Sequence, residues 1–131
     1  MTNVNIYAMD AIVNELANGK TISDALKRVF TKRTVQIRYT DSKFDVPVTT
    51  LGMSRRSTNV LMRSGIRTIT DLANHSAEEG IRNLRGGGKD TITEIMETVL
   101  NYAWEHMTEN EKIAFLVHTV HLNEYHLRDD I

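Results

Sequence analysis

The sequence predicts a mainly α-helical protein, a compact bundle of short helices with helix-hairpin-helix motifs. Three observations support this fold class. Apolar residues recur at the three- and four-residue spacing of helices through most of the 131 residues. Ser, Thr or Asp precedes many of these segments, and glycine follows several of them. Helices this short are stable only against one another's apolar faces, which favours one bundle.

Two helices and a β-hairpin are predicted in the first 45 residues. Apolar residues at helical spacing indicate a helix over residues 7–18, which Gly19 ends: Ala8, Ile12, Val13 and Leu16. Thr21 is the expected N-cap of a second helix. The alternating stretches 34–39 and 44–49 indicate a small hairpin, in which Pro47 restricts the second arm to a sheet edge or extended structure.

From Ser54 onward the pattern predicts a dense series of helices. Ser54 is the expected cap of the first, Thr68 starts a helix of one or two turns, and Ser76 with Glu79 forms a capping box for a third. Their predicted inward residues are Val60, Leu61, Ile66, Ile69, Leu72, Ile81 and Leu84.

Two longer helices follow a turn of three glycines. Asp90 or Thr91 is the expected cap of the first, and Thr108 with Glu111 forms the capping box of the last. Their predicted inward residues are Ile92, Ile95, Met96, Val99, Leu100, Trp104, Ile113, Phe115, Leu116, Val120 and Leu122.

The sequence predicts three segments: an N-terminal extension (1–45), a helix-hairpin-helix domain (46–107) and an acidic final helix packing on that domain (108–131). Charge is distributed unevenly along them, and its sign changes within the predicted domain, after residue 92. The net charge is +2 over 1–45, +3 over 46–92 and −6 over 93–131. A polyanion follows local potential, so a nucleic acid is expected to approach the middle of the sequence. Solvated helix faces that carry these charges are the alternative interpretation.

Composition excludes several classes of protein. The sequence has no cysteine, so disulfide frameworks, thiolate zinc sites and cysteine nucleophiles are ruled out. No apolar run approaches the roughly 20 residues that a membrane span requires, and the N-terminus lacks a signal-peptide pattern. We therefore expect a soluble cytoplasmic protein with no membrane partner, and no motif indicates a cofactor.

Two glycine-containing turns between helices form the most informative motif. Gly65 lies in the first turn, and Gly86, Gly87 and Gly88 form the second. Glycine allows a phosphate to approach the backbone, and the helix that follows offers unpaired N–H groups. Lys89 adds a full positive charge beside that helix start. Helix-hairpin-helix proteins hold a nucleic-acid backbone in this way, whereas a plain turn is the alternative interpretation.

Three blocks around these turns resemble the C-terminal domain of the bacterial RNA polymerase α subunit. They read Leu-Gly-Met-Ser-Arg-Arg-Ser-Thr-Asn-Val-Leu (51–61), Gly-Ile-Arg-Thr-Ile-Thr-Asp-Leu (65–72) and Gly-Lys-Asp-Thr-Ile-Thr-Glu-Ile (88–95). The similarity covers roughly residues 46–100. It implies a non-catalytic DNA-binding module of bacterial or phage transcription, and we expect no counterpart of the family's amino-terminal assembly domain.

The resemblance also implies roles for individual residues in binding A·T-rich double-stranded DNA. Arg56 matches the arginine that the family inserts into the minor groove, where narrow A·T-rich DNA has enhanced negative potential. Asn59 matches an asparagine that donates to groove or phosphate oxygens. Gly88 and Lys89 match the backbone-donating glycine and the first lysine, and Thr91 matches a phosphate-binding serine.

Further residues complete the expected site. Glu94 matches the glutamate that orients the arginine, which suggests a pairing with Arg56. Arg55 and Arg85 are additional cations expected to contact DNA. Asp90 stands where the family has a second lysine, so it is expected to weaken binding or to cap the helix. RNA polymerase and transcription factors are the protein partners that the resemblance implies.

The alternative function is a protein-interaction module, in which the last helix docks on the transcription machinery or on its own copy without binding DNA. The oligomeric state is not predicted. His118, His121, His126 and Glu124 lie close in sequence, but no motif supplies a complete ligand set, so no metal is expected. No catalytic arrangement or P-loop spacing occurs, so an enzyme is not expected.

Overall fold

The computed structural model describes residues 5–37, 42–78 and 84–131, and these are mainly helical, which confirms the predicted fold class. Its helices are α1 (Ile6–Ala17), α2 (Ile22–Val29), α3 (Arg55–Arg63), α4 (Ile69–Glu78), α5 (Lys89–Glu105) and α6 (Glu109–Leu122). Short 3-10 turns occur at Ser42–Phe44, Val48–Thr50 and Glu124–His126. Within the described ranges, no helix is long and apolar enough to cross a membrane.

The protein forms two compact units. The terminal unit combines residues 5–37 with 107–131, and the middle unit comprises residues 42–106. Within the terminal unit, the final helix α6 packs against α1. That it also packs on the middle domain, as the sequence analysis expects, stays a prediction. Periodicity indicates which face of a helix is apolar, but it does not indicate which partner covers that face.

In the terminal unit, the segment after α2 runs antiparallel to the last residues of the protein. The Arg128 amide donates to the Val29 carbonyl at 2.9 Å, and the Thr31 amide donates to the His126 carbonyl at 2.8 Å. Asn123 is fully buried and binds both backbone groups of Thr34: it accepts from the amide at 2.7 Å and donates to the carbonyl at 2.9 Å. The segments 29–34 and 123–128, which are far apart in sequence, are thus joined by backbone hydrogen bonds and by the buried Asn123 side chain.

The prediction of a β-hairpin over residues 34–49 is wrong for the residues that the structure describes. Pro47 forms an isolated antiparallel bridge with Thr68, because Val48 donates to the Arg67 carbonyl at 2.9 Å and the Ile69 amide donates to the Val46 carbonyl at 3.1 Å. Residues 38–41 of the predicted hairpin lie outside the described ranges. Proline has no amide to extend the ladder, and Val48 is buried against the start of α4 instead of pairing with the preceding arm.

In the middle unit, α3, α4 and α5 surround one apolar core, with buried members Val48, Val60, Leu61, Ile66, Ile69, Leu72, Leu84, Ile92, Ile95 and Val99. Ser54 caps α3 as predicted, with its hydroxyl accepting from the Ser57 amide at 3.2 Å. Thr68 and Asp71 cap the start of α4 reciprocally. Local cap chemistry therefore fixes where both helices begin.

Two details of the predicted helices differ from the structure. Ser76 does not start a new helix, because α4 continues to Glu78 and a cap requires extended backbone before the helix; the remaining residues of that predicted element, Glu79 and Ile81, lie outside the described ranges. Three residues predicted to point inward are largely exposed: Val13 (49%), Met96 (49%) and Ile113 (57%).

Candidate nucleic-acid interface

Helix α3 presents a polar, cationic face opposite its buried one. Val60 and Leu61 are buried in the core, which leaves Arg56, Asn59 and Arg63 exposed. These three positions are separated by three and four residues, so they lie on one face of the helix. Among the residues that the structure describes, none offers these two arginine side chains a hydrogen bond or an ion pair. Their charge is therefore available to a ligand.

An open cavity of about 400 Å³ lies beside this face. It is lined by Arg55, Arg56, Asn59, Val60, Arg63 and Gly86. The second glycine turn thus shares a surface with the start and the end of α3. Of the predicted site residues, the structure brings Arg55, Arg56 and Asn59 together at this cavity. The other predicted site residues lie outside the lining: Arg85, Gly88, Lys89, Thr91 and Glu94.

The glycine turn is held by two residues with different requirements. Gly86 has a φ of +81°, a conformation that residues with a Cβ rarely adopt. At Gly87 a Cβ would lie 2.9 Å from Cδ1 of Ile92 and 3.2 Å from the carbonyl oxygen of Leu84. Glycine is therefore favoured at Gly86 by the backbone conformation and at Gly87 by close packing against Leu84 and the start of α5.

Gly88 has no such requirement in the protein itself. Its φ is −76°, and a Cβ there would meet nothing within 4 Å. The residue faces open space at the point where α5 begins. A glycine at an unobstructed position leaves room for a ligand to approach the backbone closely.

Gly88 is also the N-cap of α5, which corrects the prediction that Asp90 or Thr91 caps this helix. The backbone of Gly88 is extended, with ψ of 175°, and Lys89 is already helical, so Asp90 and Thr91 lie inside the first turn. This helix start receives no capping hydrogen bond from the N-cap residue, which is a glycine. Lys89 and Asp90 are exposed, whereas Thr91 is only 7% exposed. The first-turn N–H groups therefore depend on water or a ligand for hydrogen bonds.

The carboxylate of Glu94 on α5 binds the first turn of α3 instead of the Arg56 side chain. It accepts from the Ser54 hydroxyl at 2.6 Å and from the Ser54 amide at 3.1 Å, and the buried Ser57 hydroxyl also donates to it. The hydroxyls of Ser54 and Ser57, followed by the Ser54 amide, lower the pKa of Glu94 below its usual value. Glu94 thus fixes the helix start from which Arg55 and Arg56 project.

Two features of this surface were not predicted from the sequence. Ser54 was predicted as a cap and Ser57 was assigned no role, although the Ser-x-x-Ser spacing at the helix start was visible. Arg63 was counted only as a charge, although its position seven residues after Arg56 predicts the same helix face.

A family model for the C-terminal domain of the bacterial RNA polymerase alpha subunit matches residues 36–101, half of the sequence. The protein belongs to this family. The match contains α3, α4 and residues 89–101 of α5, and it includes all six residues that line the cavity. The alpha C-terminal domain is a non-catalytic, DNA-binding domain of transcription, so the middle unit is a transcription-related DNA-binding domain and not an enzyme. No curated protein and no solved structure matches the sequence.

Of the side chains considered as metal ligands, only His121 and Glu124 are paired with each other among the described residues. The His118 ring lies 3.1 Å from the side-chain oxygen of Gln36, and the His121 ring lies 3.9 Å from the Glu124 carboxylate. In the parts of the protein that the structure describes, no three His, Cys, Asp or Glu side chains are grouped to hold a metal ion.

Proposed function

We propose that this alpha C-terminal domain binds A·T-rich double-stranded DNA through the minor groove and the sugar–phosphate backbone. The observation that carries the proposal is the shared cavity, which the unpaired Arg56 side chain and Gly86 of the second glycine turn both line. Such a surface combines a cation for the groove with a turn that a phosphate can approach.

Arg56 is the proposed groove residue. An α-helix is about 10–12 Å across and the minor groove is about 6 Å wide, so a side chain enters the groove and the helix does not. A guanidinium suits narrow A·T-rich grooves because their negative potential is enhanced. Asn59, one turn further along the same face, supplies a donor to groove or phosphate oxygens. Glu94 supports both residues by fixing the start of α3 through Ser54 and Ser57.

The start of α5 is the proposed phosphate site. Gly88 leaves open space before a helix start without a capping hydroxyl or carboxylate, and the exposed Lys89 adds charge. Helix N-termini favour anions because their N–H groups and dipole point at the ligand. Arg55 and Arg85, both exposed, add further positive charge. Thr91 is the proposed site residue with the least access to a ligand, because it is buried.

We propose that the protein acts in transcription in the cytoplasm, at the nucleoid, with RNA polymerase or transcription factors as protein partners. Family membership and the cationic surface of the middle unit support this role.

The proposal is tested by fluorescence anisotropy with labelled A·T-rich and G·C-rich duplexes at about 50 mM and about 200 mM salt. We expect tighter binding to the A·T-rich duplex and a steep loss of affinity at the higher salt concentration. Arg56→Ala should abolish the preference for the A·T-rich duplex. Arg67→Ala is the matched control, because Arg67 is exposed in the same unit but does not line the cavity. Equal effects of the two substitutions would contradict the assignment of Arg56.

A further inference from the structure

We propose that Arg63 is a second DNA contact, which binds a backbone phosphate while Arg56 occupies the minor groove. This inference rests on the proposed function and adds to it. Arg63 lies between the first two blocks of similarity to the family, so the family pattern assigns it no role. Only its place on α3 and at the cavity points to a function.

The position of Arg63 on α3 places it beside the groove residue. Arg63 follows Arg56 by seven residues and Asn59 by four, so the three share one helix face. At a rise of about 1.5 Å per residue, the Cα atoms of Arg56 and Arg63 are separated by about 10 Å along the helix axis. That separation exceeds the minor-groove width of about 6 Å. With α3 crossing the groove and Arg56 inside it, Arg63 lies over the flanking backbone.

The shape and charge of the cavity support a phosphate as the ligand. The cavity is a concave surface lined by three arginines of α3 and by Gly86. A concave surface fits a ridge, and the ridges of duplex DNA are its sugar–phosphate strands. Within the described residues, no acidic side group neutralises Arg63. An unpaired arginine at such a wall neutralises one phosphate and carries no base information.

A structural explanation for Arg63 predicts a different result. Arg63 is the last residue of α3, where a cation interacts favourably with the helix dipole. If that were its whole role, its removal would lower stability without changing DNA affinity. The two explanations are therefore separated by measuring binding, not folding alone.

The experiment compares the wild-type protein with Arg63→Gln, Arg63→Lys and the control Arg67→Gln, using A·T-rich and G·C-rich duplexes over a series of salt concentrations. For Arg63→Gln we expect about a threefold to tenfold loss of affinity for both duplexes, with their ratio unchanged. The slope of log K against log salt should become shallower by about 0.9, the value for one lost phosphate contact. Arg63→Lys should restore the slope, and Arg67→Gln should leave affinity and slope unchanged.

Several outcomes would overturn the inference. An Arg63→Gln variant with wild-type affinity and slope would show that Arg63 does not contact the backbone. A loss confined to the A·T-rich duplex would place Arg63 in the groove instead. Failure of the wild-type protein to bind either duplex would overturn the proposed function and this inference together. If the wild-type protein binds A·T-rich DNA and Arg63→Gln binds it with the same affinity and the same salt dependence, this inference alone would be overturned.

Discussion

Replacing Gly88 with serine should make the protein more stable and its DNA binding weaker. The extended backbone of Gly88, with φ of −76° and ψ of 175°, is the conformation that N-cap residues adopt, and a Cβ there meets nothing within 4 Å. A serine hydroxyl can accept from the amide of the second or third residue of α5. Because the N-cap of this helix has no side chain, we expect Gly88→Ser to raise the free energy of unfolding by about a few tenths of a kcal/mol, the difference between a glycine and a serine cap.

The same hydroxyl occupies the place of the proposed phosphate. It takes a hydrogen-bond donor that the phosphate would use, and its Cβ obstructs the close approach to the backbone. A charge-assisted hydrogen bond contributes about 1.5–3 kcal/mol, so Gly88→Ser should weaken binding of an A·T-rich duplex at least about tenfold.

Urea unfolding followed by circular dichroism measures the stability, and fluorescence anisotropy measures the affinity. Gly87→Ala is the matched control for adding a Cβ to the same turn. Unlike the Cβ at Gly88, this one would lie 2.9 Å from Cδ1 of Ile92 and 3.2 Å from the carbonyl oxygen of Leu84. It should lower the free energy of unfolding by about 1–3 kcal/mol. A Gly88→Ser protein that is more stable and binds DNA as tightly as the wild type would refute the assignment of this helix start as the phosphate site.

Three further predictions concern other parts of the protein. Glu94→Gln should lower the free energy of unfolding by about 1 kcal/mol at pH 7. Because folding lowers the pKa of Glu94, the difference between wild type and variant should be present above the unfolded pKa of about 4.3 and disappear as the pH falls through the folded pKa. Urea titrations in which this difference is as large at pH 3 as at pH 7 would contradict the prediction. Asp90→Lys should strengthen DNA binding and steepen its salt dependence by about one contact, and weaker binding in anisotropy would contradict the proposed phosphate path. Asn123→Ala should destabilise the terminal unit by about 2 kcal/mol, because it removes two hydrogen bonds to the Thr34 backbone and a buried one to the Thr119 carbonyl. Hydrogen exchange should show faster opening of α2 and α6, and an unchanged rate would count against this role.

Local sequence chemistry predicted the helix starts that depend on one side chain. The caps at Thr21, Ser54 and Thr108 occur where the sequence indicated them, because an N-cap requires only a hydroxyl within three residues of the amide it binds. Ser76 has the same chemistry but follows residues that are already helical. Ser76 lies inside α4, so its backbone is helical and not in the extended conformation that an N-cap residue requires.

Contacts between sequence-distant segments were not predictable in the same way. The alternating stretch around Pro47 does form a bridge, but its partner is Thr68 rather than the preceding arm. Alternation indicates extended backbone with one apolar face, and it does not identify the strand that will pair with it. The burial of Asn123 had no sequence signal, because a single asparagine near a helix end is usually exposed.

The candidate site was predicted in its main members and not in its internal contacts. The resemblance to the family indicated Arg56, Asn59 and the second glycine turn. The sequence predicted Arg56 as the partner of Glu94. The carboxylate binds Ser54 and Ser57 at the start of α3 instead, where an anion is favourable, and only the fold brings these donors to it. Arg63 lay outside every motif, so only its place on the folded helix revealed it.

The start of α3 and the start of α5 are proposed to hold one DNA duplex together, and every other functional assignment depends on this. Titrating the ¹⁵N-labelled protein with an A·T-rich duplex and following its amide resonances by nuclear magnetic resonance tests this claim most directly. We expect the largest changes on Arg56, Asn59 and the segment 86–89, and the smallest on α1 and α6. Changes concentrated in α1 and α6, or on α3 without the amides of Gly88 and Lys89, would contradict it.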